Sequence, residues 1–293
     1  MSELSDWKCE PSNYITEIRR MMYGFGDSSE PLIESATLIN DVVQKQMKGI
    51  VYEACRVADR RQSDVVEEQD FLFLLRRDKV KLHRLLKYLQ FKTTVRKVLD
   101  TNLFSSTEES SNEIKFDKRF HQFLSNIESP SDTTTVDHVK KARDLRAEML
   151  SRRLDAVRYM EYSTARSASF ANKYNHKFGS WIATEGDLKI SKQAYAVLGY
   201  FAYETVAQIM DFAFLVKHDQ TKIHGDALDR LRLGYCNPAT YKPYQHGKGA
   251  SMKPVTPSEI NEALRRYWSP QLDKTGPFNR WSTPKQHPKF LAI

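Results

Sequence analysis

Glycine and proline are scarce, 11 of each in 293 residues. Sandwiches and barrels need many tight turns, so this shortage favours helices. Cysteine is scarcer: Cys9, Cys55 and Cys236 are an odd number, with no Cys-x-x-Cys or Cys/His ligand spacing. That pattern argues against a disulfide framework or a zinc site and reads as a reduced, intracellular protein. Long apolar runs are missing too. The richest stretch, residues 194–216, contains Glu204 and Asp211 and fits a membrane span poorly. The N-terminus has no basic stretch followed by an apolar run, so no secretory leader is expected.

Catalytic patterns are lacking as well. Gly24-Phe25-Gly26 is not followed by the third glycine of a dinucleotide loop, and Gly247-Lys248-Gly249-Ala250-Ser251 lacks the spacing of a phosphate-binding loop. The eight histidines are scattered, and His218 and His224 are too far apart to share one helical face. No nucleophile stands beside a base. The expectation is a protein without a catalytic residue, metal or cofactor.

What is present is enough apolar material for a core, 40% hydrophobic and 11% aromatic. A net charge of +8 invites a polyanionic partner such as nucleic acid.

Residues 14–23 read as a short helix ended by Gly24, Gly26 and Asp27. Ser28, Ser29 and Pro31 then supply start signals. Leu38, Val42, Val43, Met47, Ile50, Val51, Ala54, Val57 and Ala58 recur at helical spacing and predict one long helix over residues 32–59. A third helix carries Phe71, Leu74 and Leu75. A basic fourth carries Leu82, Leu85, Leu86 and Leu89. Residues 105–112 and 125–135 are polar linker sequence flanking a weak helix near 116–123, and a charged helical stretch covers 136–160.

The short–long–short plan then repeats. Residues 169–182 predict a short helix and 184–190 a loop. Ser191 is placed to cap a long helix reaching about residue 220, with Ile190 and Tyr195 at the two ends of a hydrophobic staple. After a polar insertion, Thr256 as N-cap, Pro257 at the first helical position and Glu259 closing a capping box write a last helix, which Pro270 ends.

A helix of such length cannot bury its stripe against two short neighbours alone. Histone folds solve this by crossing their long helices with those of a partner. Tethering both halves in one chain raises their mutual concentration to about the millimolar range and favours internal pairing. The expected fold is therefore all-α, with two histone folds in one chain forming an intramolecular pair. The boundaries are 12–91 for the first fold, 92–153 for a partly disordered linker, 154–270 for the second fold with its insertion at 221–254, and 271–293 for a basic tail.

Specific runs carry a family resemblance. Met21-Met22-Tyr23-Gly24-Phe25-Gly26-Asp27, Asp41-Val42-Val43, the run from Asp70 through Lys79, and Leu85-Leu86-Lys87-Tyr88-Leu89 resemble the first histone fold of the Suppressor-of-Ty 3 family of SAGA coactivator subunits. This half is also similar to the thirteenth TBP-associated factor of TFIID. Tyr159-Met160-Glu161-Tyr162, Arg166 through Phe170, Phe178-Gly179-Ser180-Trp181 and Leu198 through Val206 are similar to the family's second fold. The stretch from Pro254 through Arg266 resembles the last helix shared with the eleventh TBP-associated factor. The resemblance covers residues 14–91 and 154–268. The third helix of fold one departs from it: Glu67-Glu68 stand where the family has Thr-Pro, so the cap is expected from Ser63 or Asp64. The resemblance implies a nuclear, non-catalytic coactivator subunit near other SAGA core histone-fold subunits. It would engage TATA-binding protein and help bring it to RNA polymerase II promoters.

Two surfaces are candidate sites. Glu204, Gln208 and Asp211 are spaced by four and three along an otherwise apolar helix and form one polar stripe. The stripe is either a solvated face or a docking surface for a basic partner, TATA-binding protein being the candidate. Arg76, Arg77, Lys79, Lys81, Arg84 and Lys87 form a basic face that either solubilises the added helix or contacts DNA phosphate. Arg60 or Arg61 is expected to pair with Asp70 as a structural lock. Lys140-Lys141 and Arg152-Arg153 match a bipartite nuclear signal, a spacing that also arises by chance on charged helices. The alternative function is a module binding duplex DNA directly, which needs basic residues along one phosphate path. Arg19, Arg20, Arg60, Arg61, Lys173 and Lys177 are available, but the acidic loop Thr184-Glu185-Gly186-Asp187 interrupts that path.

Overall fold

The computed structural model describes residues 13–102, 136–170, 175–182, 189–221, 253–269 and 289–293. Among these the chain is almost entirely helical, in the order α1 (Ile15–Phe25), α2 (Ile33–Arg60), β1 (Val65–Val66), α3 (Glu68–Leu74), α4 (Lys79–Asn102), α5 (His138–Ser151), α6 (Ala156–Arg166), α7 (Asn175–Ile182), β2 (Lys189–Ile190), α8 (Lys192–Thr221) and α9 (Pro257–Trp268). The all-α fold class stands. The chain divides into two units, residues 1–71 with 138–293, and residues 72–137.

In the first unit, α1 stops where Gly26 turns left-handed at φ 114°, its N–H reaching back to the Met22 and Tyr23 carbonyls. A residue with a Cβ resists that conformation, and glycine does not. The long helix α2 buries Ile39, Val43, Met47, Ile50, Val51, Ala54 and Ala58, the predicted stripe with Ile39 added. Leu38, Val42 and Val57 are half-buried at its margins.

Arg61 locks the loop after α2. Its Nε and Nη2 donate to Asp70 Oδ1 and Oδ2 at 3.2 and 2.9 Å, and Nη2 also donates to the Val65 carbonyl at 3.2 Å. The cap expected from Ser63 or Asp64 comes from elsewhere. Asp70 Oδ2 accepts the Glu67 N–H at 2.9 Å, while Ser63 serves its own turn by bonding both backbone groups of Val65. Asp70 sits three residues into the turn, where a carboxylate reaches back to the helix start, so the missing Thr is replaced from the other side of the box.

The second short–long–short set lies in the same unit. Ser191 Oγ accepts the Ala194 N–H at 3.1 Å, the cap expected for α8. Thr256 and Glu259 form both halves of the capping box on α9, with Pro257 in the first turn. The helix α8 packs against α1, α2, α7 and α9. Two loop junctions tie the sets together. β1 pairs in parallel with β2, Val65 opposite Lys189 and Val66 opposite Ile190. Near the opposite end of α2, the Val255 N–H donates to Asp27 Oδ1 at 2.9 Å, and Ser35 Oγ donates to the Val255 carbonyl at 2.7 Å. Around Tyr14, the rings of Phe170, Phe178 and Trp181 lie 5.0–5.9 Å from its centroid.

Three boundaries differ from the sequence reading. The charged stretch 136–160 is two helices, because Asp155 caps a new start by accepting the Arg158 N–H at 2.8 Å. α4 continues past residue 91 to Asn102. The end of the expected basic tail also packs, for it is apolar there: Leu291 and Ala292 are buried, and the Leu291 N–H donates to Gln46 Oε1 at 3.0 Å. The Phe290 ring crosses α2 where Gly49 leaves room; a Cβ there would stand 2.7 Å from its Cε1. Most of the linker, the insertion and the remaining tail lie outside the described residues.

The second unit contains α4, opened by Asp78, whose Oδ1 accepts the Lys81 N–H at 2.9 Å. Leu82, Leu85, Leu86 and Leu89 are buried, as their spacing predicts.

Candidate partner-binding site

α8 differs from an ordinary amphipathic helix in having no exposed residue between positions 193 and 219. Its polar stripe is therefore not a solvated face. Glu204 is 3% exposed, and Gln208 and Asp211 are half-buried.

The cover is α5, which docks two arginines one turn apart onto the stripe. Arg143 Nη1 donates to both Glu204 oxygens at 3.0 and 2.9 Å, and its Nε donates to Asp211 Oδ2 at 2.6 Å. Arg146 Nη2 donates to the other Asp211 oxygen, Oδ1, and its Nε donates to the Phe25 carbonyl at 2.8 Å. The Arg146 guanidinium also lies 4.9 Å from the Phe214 ring centroid. Each Asp211 oxygen thus takes one arginine, and Arg143 bridges two carboxylates two turns apart on α8.

Charge-assisted bonds of this kind are strong where water is excluded. Burial works against the Arg143 charge, and the Glu204 and Asp211 carboxylates more than offset it, holding the guanidinium above its ordinary pKa. One Arg143 nitrogen, Nη2, is buried without a hydrogen-bond partner. Burial also pushes the neighbouring Tyr203 phenol up, with Arg143 drawing it back in part.

The basic face of α4 is differently placed. Arg76, Arg77, Lys79 and Lys87 are exposed, whereas Lys81 and Arg84 are half-buried. Arg84 is committed to Asp137, with Nε donating to Oδ2 at 2.6 Å and Nη2 to Oδ1 at 2.8 Å. Arg76 lies 4.0 Å over the Phe73 ring, and Lys81 Nζ is 4.0 Å from Asp78. Elsewhere, Arg19 donates to the Pro31 carbonyl at 3.0 Å and Lys177 pairs with Glu17 at 3.3 Å. These contacts engage part of the basic set that a DNA path would need. Lys173 and the acidic loop 184–187 lie outside the described residues.

Sequence reasoning found the stripe but not its occupant. Arg143 and Arg146 stood in a charged segment with nothing to separate them from the lysines beside them. The one available signal was their spacing of three, which matches that of Gln208 and Asp211. Among the described residues, no cluster of His, Cys, Asp or Glu has the arrangement of a metal site, and no helix is long and apolar enough to cross a membrane.

Comparison with known proteins adds the following. Residues 12–101 match the family model described as the 18 kD subunit of transcription initiation factor IID, a histone-fold domain. A protein of Drosophila melanogaster named SAGA complex subunit Spt3 is 28% identical over 300 residues, which cover 97% of this chain and 74% of that protein. The Schizosaccharomyces pombe protein of the same name is 24% identical over 292 residues, covering 90% of this chain and 92% of the relative. Transcription initiation factor TFIID subunit 13 of Dictyostelium discoideum is 31% identical over 96 residues, 33% of this chain and 89% of that protein.

Proposed function

Because this chain belongs to the Spt3 family of transcription coactivator subunits, we propose that it acts in the nucleus as a SAGA-type subunit, a non-catalytic adaptor that binds TATA-binding protein and helps deliver it to promoters. In this reading, residues 12–91 and 154–270 are two histone folds, paired with each other. Other histone-fold subunits of the complex flank the pair.

The observation that carries the pairing is the double junction between the two helix sets. β1 lies beside β2, and Asp27 and Ser35 hold Val255 near the other end of α2. Two short–long–short units joined loop to loop at both ends bury the two long stripes against each other, which neither achieves alone. Support for the docking role is chemical. The stripe of Glu204, Gln208 and Asp211 already holds two guanidinium groups, the chemistry a basic protein surface presents.

The test is titration of the purified chain with TATA-binding protein and, separately, with duplex DNA, each at low and moderate salt. Gln208→Lys is the informative variant, since Gln208 lies on the stripe but has no part in the ion pairs described. Saturable protein binding that Gln208→Lys weakens about ten-fold is expected, because it places a positive charge where a basic partner must dock. No affinity for TATA-binding protein beside tight, steeply salt-dependent DNA binding would replace this reading with the direct DNA module. The exposed Arg76, Arg77, Lys79 and Lys87 favour that second reading.

A further inference from the structure

The way α5 is held bears on how any partner reaches the stripe. Among its residues none is fully buried, and Val139 and Leu145 are 47% and 41% exposed. Leu150 only flanks the small cluster of Tyr23, Tyr162 and Ala165. Apolar burial therefore contributes little to docking, and Arg143 and Arg146 carry most of it. Beneath them, Glu204 and Asp211 stand on a helix with no exposed residue over more than six turns. Stripping α5 away without replacement costs each carboxylate its charge-assisted bonds. Exchange for another basic helix restores them.

We propose that the Glu204–Asp211 face of α8 is an arginine-reading seat, occupied by α5 in the free chain and taken over by a partner helix that presents two arginines one turn apart. The geometry selects arginine over lysine. Arg143 reaches Glu204 through Nη1 and Asp211 through Nε, two donors at different places on one rigid plane. An ammonium group concentrates its donors on one nitrogen and cannot span both carboxylates this way. Arg146 adds a further reading point, because its Nε meets the Phe25 carbonyl while Nη2 meets Asp211. The inference rests on the reading above that this stripe receives TATA-binding protein, and it adds that the free chain masks the stripe.

The probe is a synthetic peptide of residues 138–151, titrated into the full-length chain and into Arg143→Gln/Arg146→Gln, whose seat is vacated. A second peptide carries lysine at both arginine positions. The arginine peptide should bind the double variant about ten-fold more tightly than the unmodified chain, and the lysine peptide about ten-fold more weakly than the arginine peptide, the scale of one or two charge-assisted bonds. Hydrogen exchange in α5 of the unmodified chain should speed up as the arginine peptide is added. Equal affinity for both chains, or for both peptides, overturns the proposal. If the double variant does not fold, Arg143→Lys/Arg146→Lys takes its place with the same ordering. TATA-binding protein is then added to the same chains. Peptide discrimination without TATA-binding protein affinity leaves the seat standing and sinks its assigned partner, whereas TATA-binding protein binding unaffected by the vacated seat removes the masking role alone.

Discussion

The two long helices, of 28 and 30 residues, pack against each other but treat their polar residues in opposite ways. On α2, Asp41, Lys45, Lys48, Tyr52, Arg56 and Asp59 recur by threes and fours and are all exposed. An ordinary surface pair, Arg56 with Glu53 at 3.2 Å, sits among them. On α8, the same periodicity brings Glu204, Gln208 and Asp211 onto one line, but α5 lies over it. The lesson concerns context. A polar stripe on an amphipathic helix is a wet face, while a polar stripe on a helix apolar all round must be paired in place.

Truncating the core beside α8 should have the largest effect. Phe201 is fully buried on α8, its ring centroid 6.1 Å from that of Phe71. Phe201→Ala should cost about 4 kcal/mol by urea denaturation, as buried aromatic truncations do. Tyr52→Ala, at a residue 64% exposed on α2, should change stability by less than about 0.5 kcal/mol. A similar loss at both sites would show that the two helices are not differently covered.

The next test acts on the stripes themselves. Glu204→Ala leaves Arg143 buried with half its partners gone and should cost about 3 kcal/mol. Glu53→Ala breaks the surface pair on α2 and should cost about 0.5 kcal/mol or less. Adding Arg143→Leu to Glu204→Ala should recover part of the loss, since the stranded charge leaves with it. Purely additive losses in that cycle would refute the pairing.

How much of this was legible in the sequence depends on how far apart the partners lie. The helix α1, the stripe of α2, the caps at Ser191 and Thr256 and the lock of the loop after α2 onto Asp70 all follow from short-range spacing, and each appears where the residues put it. The Arg143–Glu204 pair spans 61 positions. No local rule links a charged linker helix to an apolar one so far along the chain. The seating of Leu291 on α2 was hidden for a different reason. Its few apolar residues follow a basic, proline-containing stretch whose composition obscures them. Glu67-Glu68 mislead by absence: without the family's Thr-Pro, the sequence points upstream to Ser63 or Asp64, although Asp70 lies within reach.

A smaller effect should come from the cap of α9. Thr256 Oγ1 accepts the Glu259 N–H at 3.4 Å, and Glu259 Oε2 accepts the Thr256 N–H at 2.8 Å. Thr256→Ala should cost about 1 kcal/mol, and Thr256→Ser very little. Equal losses for both would mean that the methyl group matters rather than the hydroxyl.

The subtlest way to sharpen the comparison lies near the start of α2, where Asp27 is 1% exposed. Its Oδ1 accepts the Val255 N–H, while Oδ2 is buried without a partner. Burial raises the Asp27 pKa, the Ser28 and Val255 N–H groups and the Lys217 charge pull it back in part, and Glu259 adds to the rise. A carboxyl whose folded pKa exceeds its unfolded one contributes stability below the unfolded value and loses it as pH rises through the folded value. Asp27 should therefore weaken the fold progressively on going from about pH 4 toward neutrality. Asp27→Asn keeps an acceptor for Val255 and has no charge to bury, so its stability relative to the unmodified chain should improve as pH rises. Urea midpoints of the two proteins, measured across that range, give the difference directly. Parallel profiles would mean that the junction between Asp27 and Val255 is wet, unlike the dry seat under α5, and that the two carboxylate sites of this chain obey different rules.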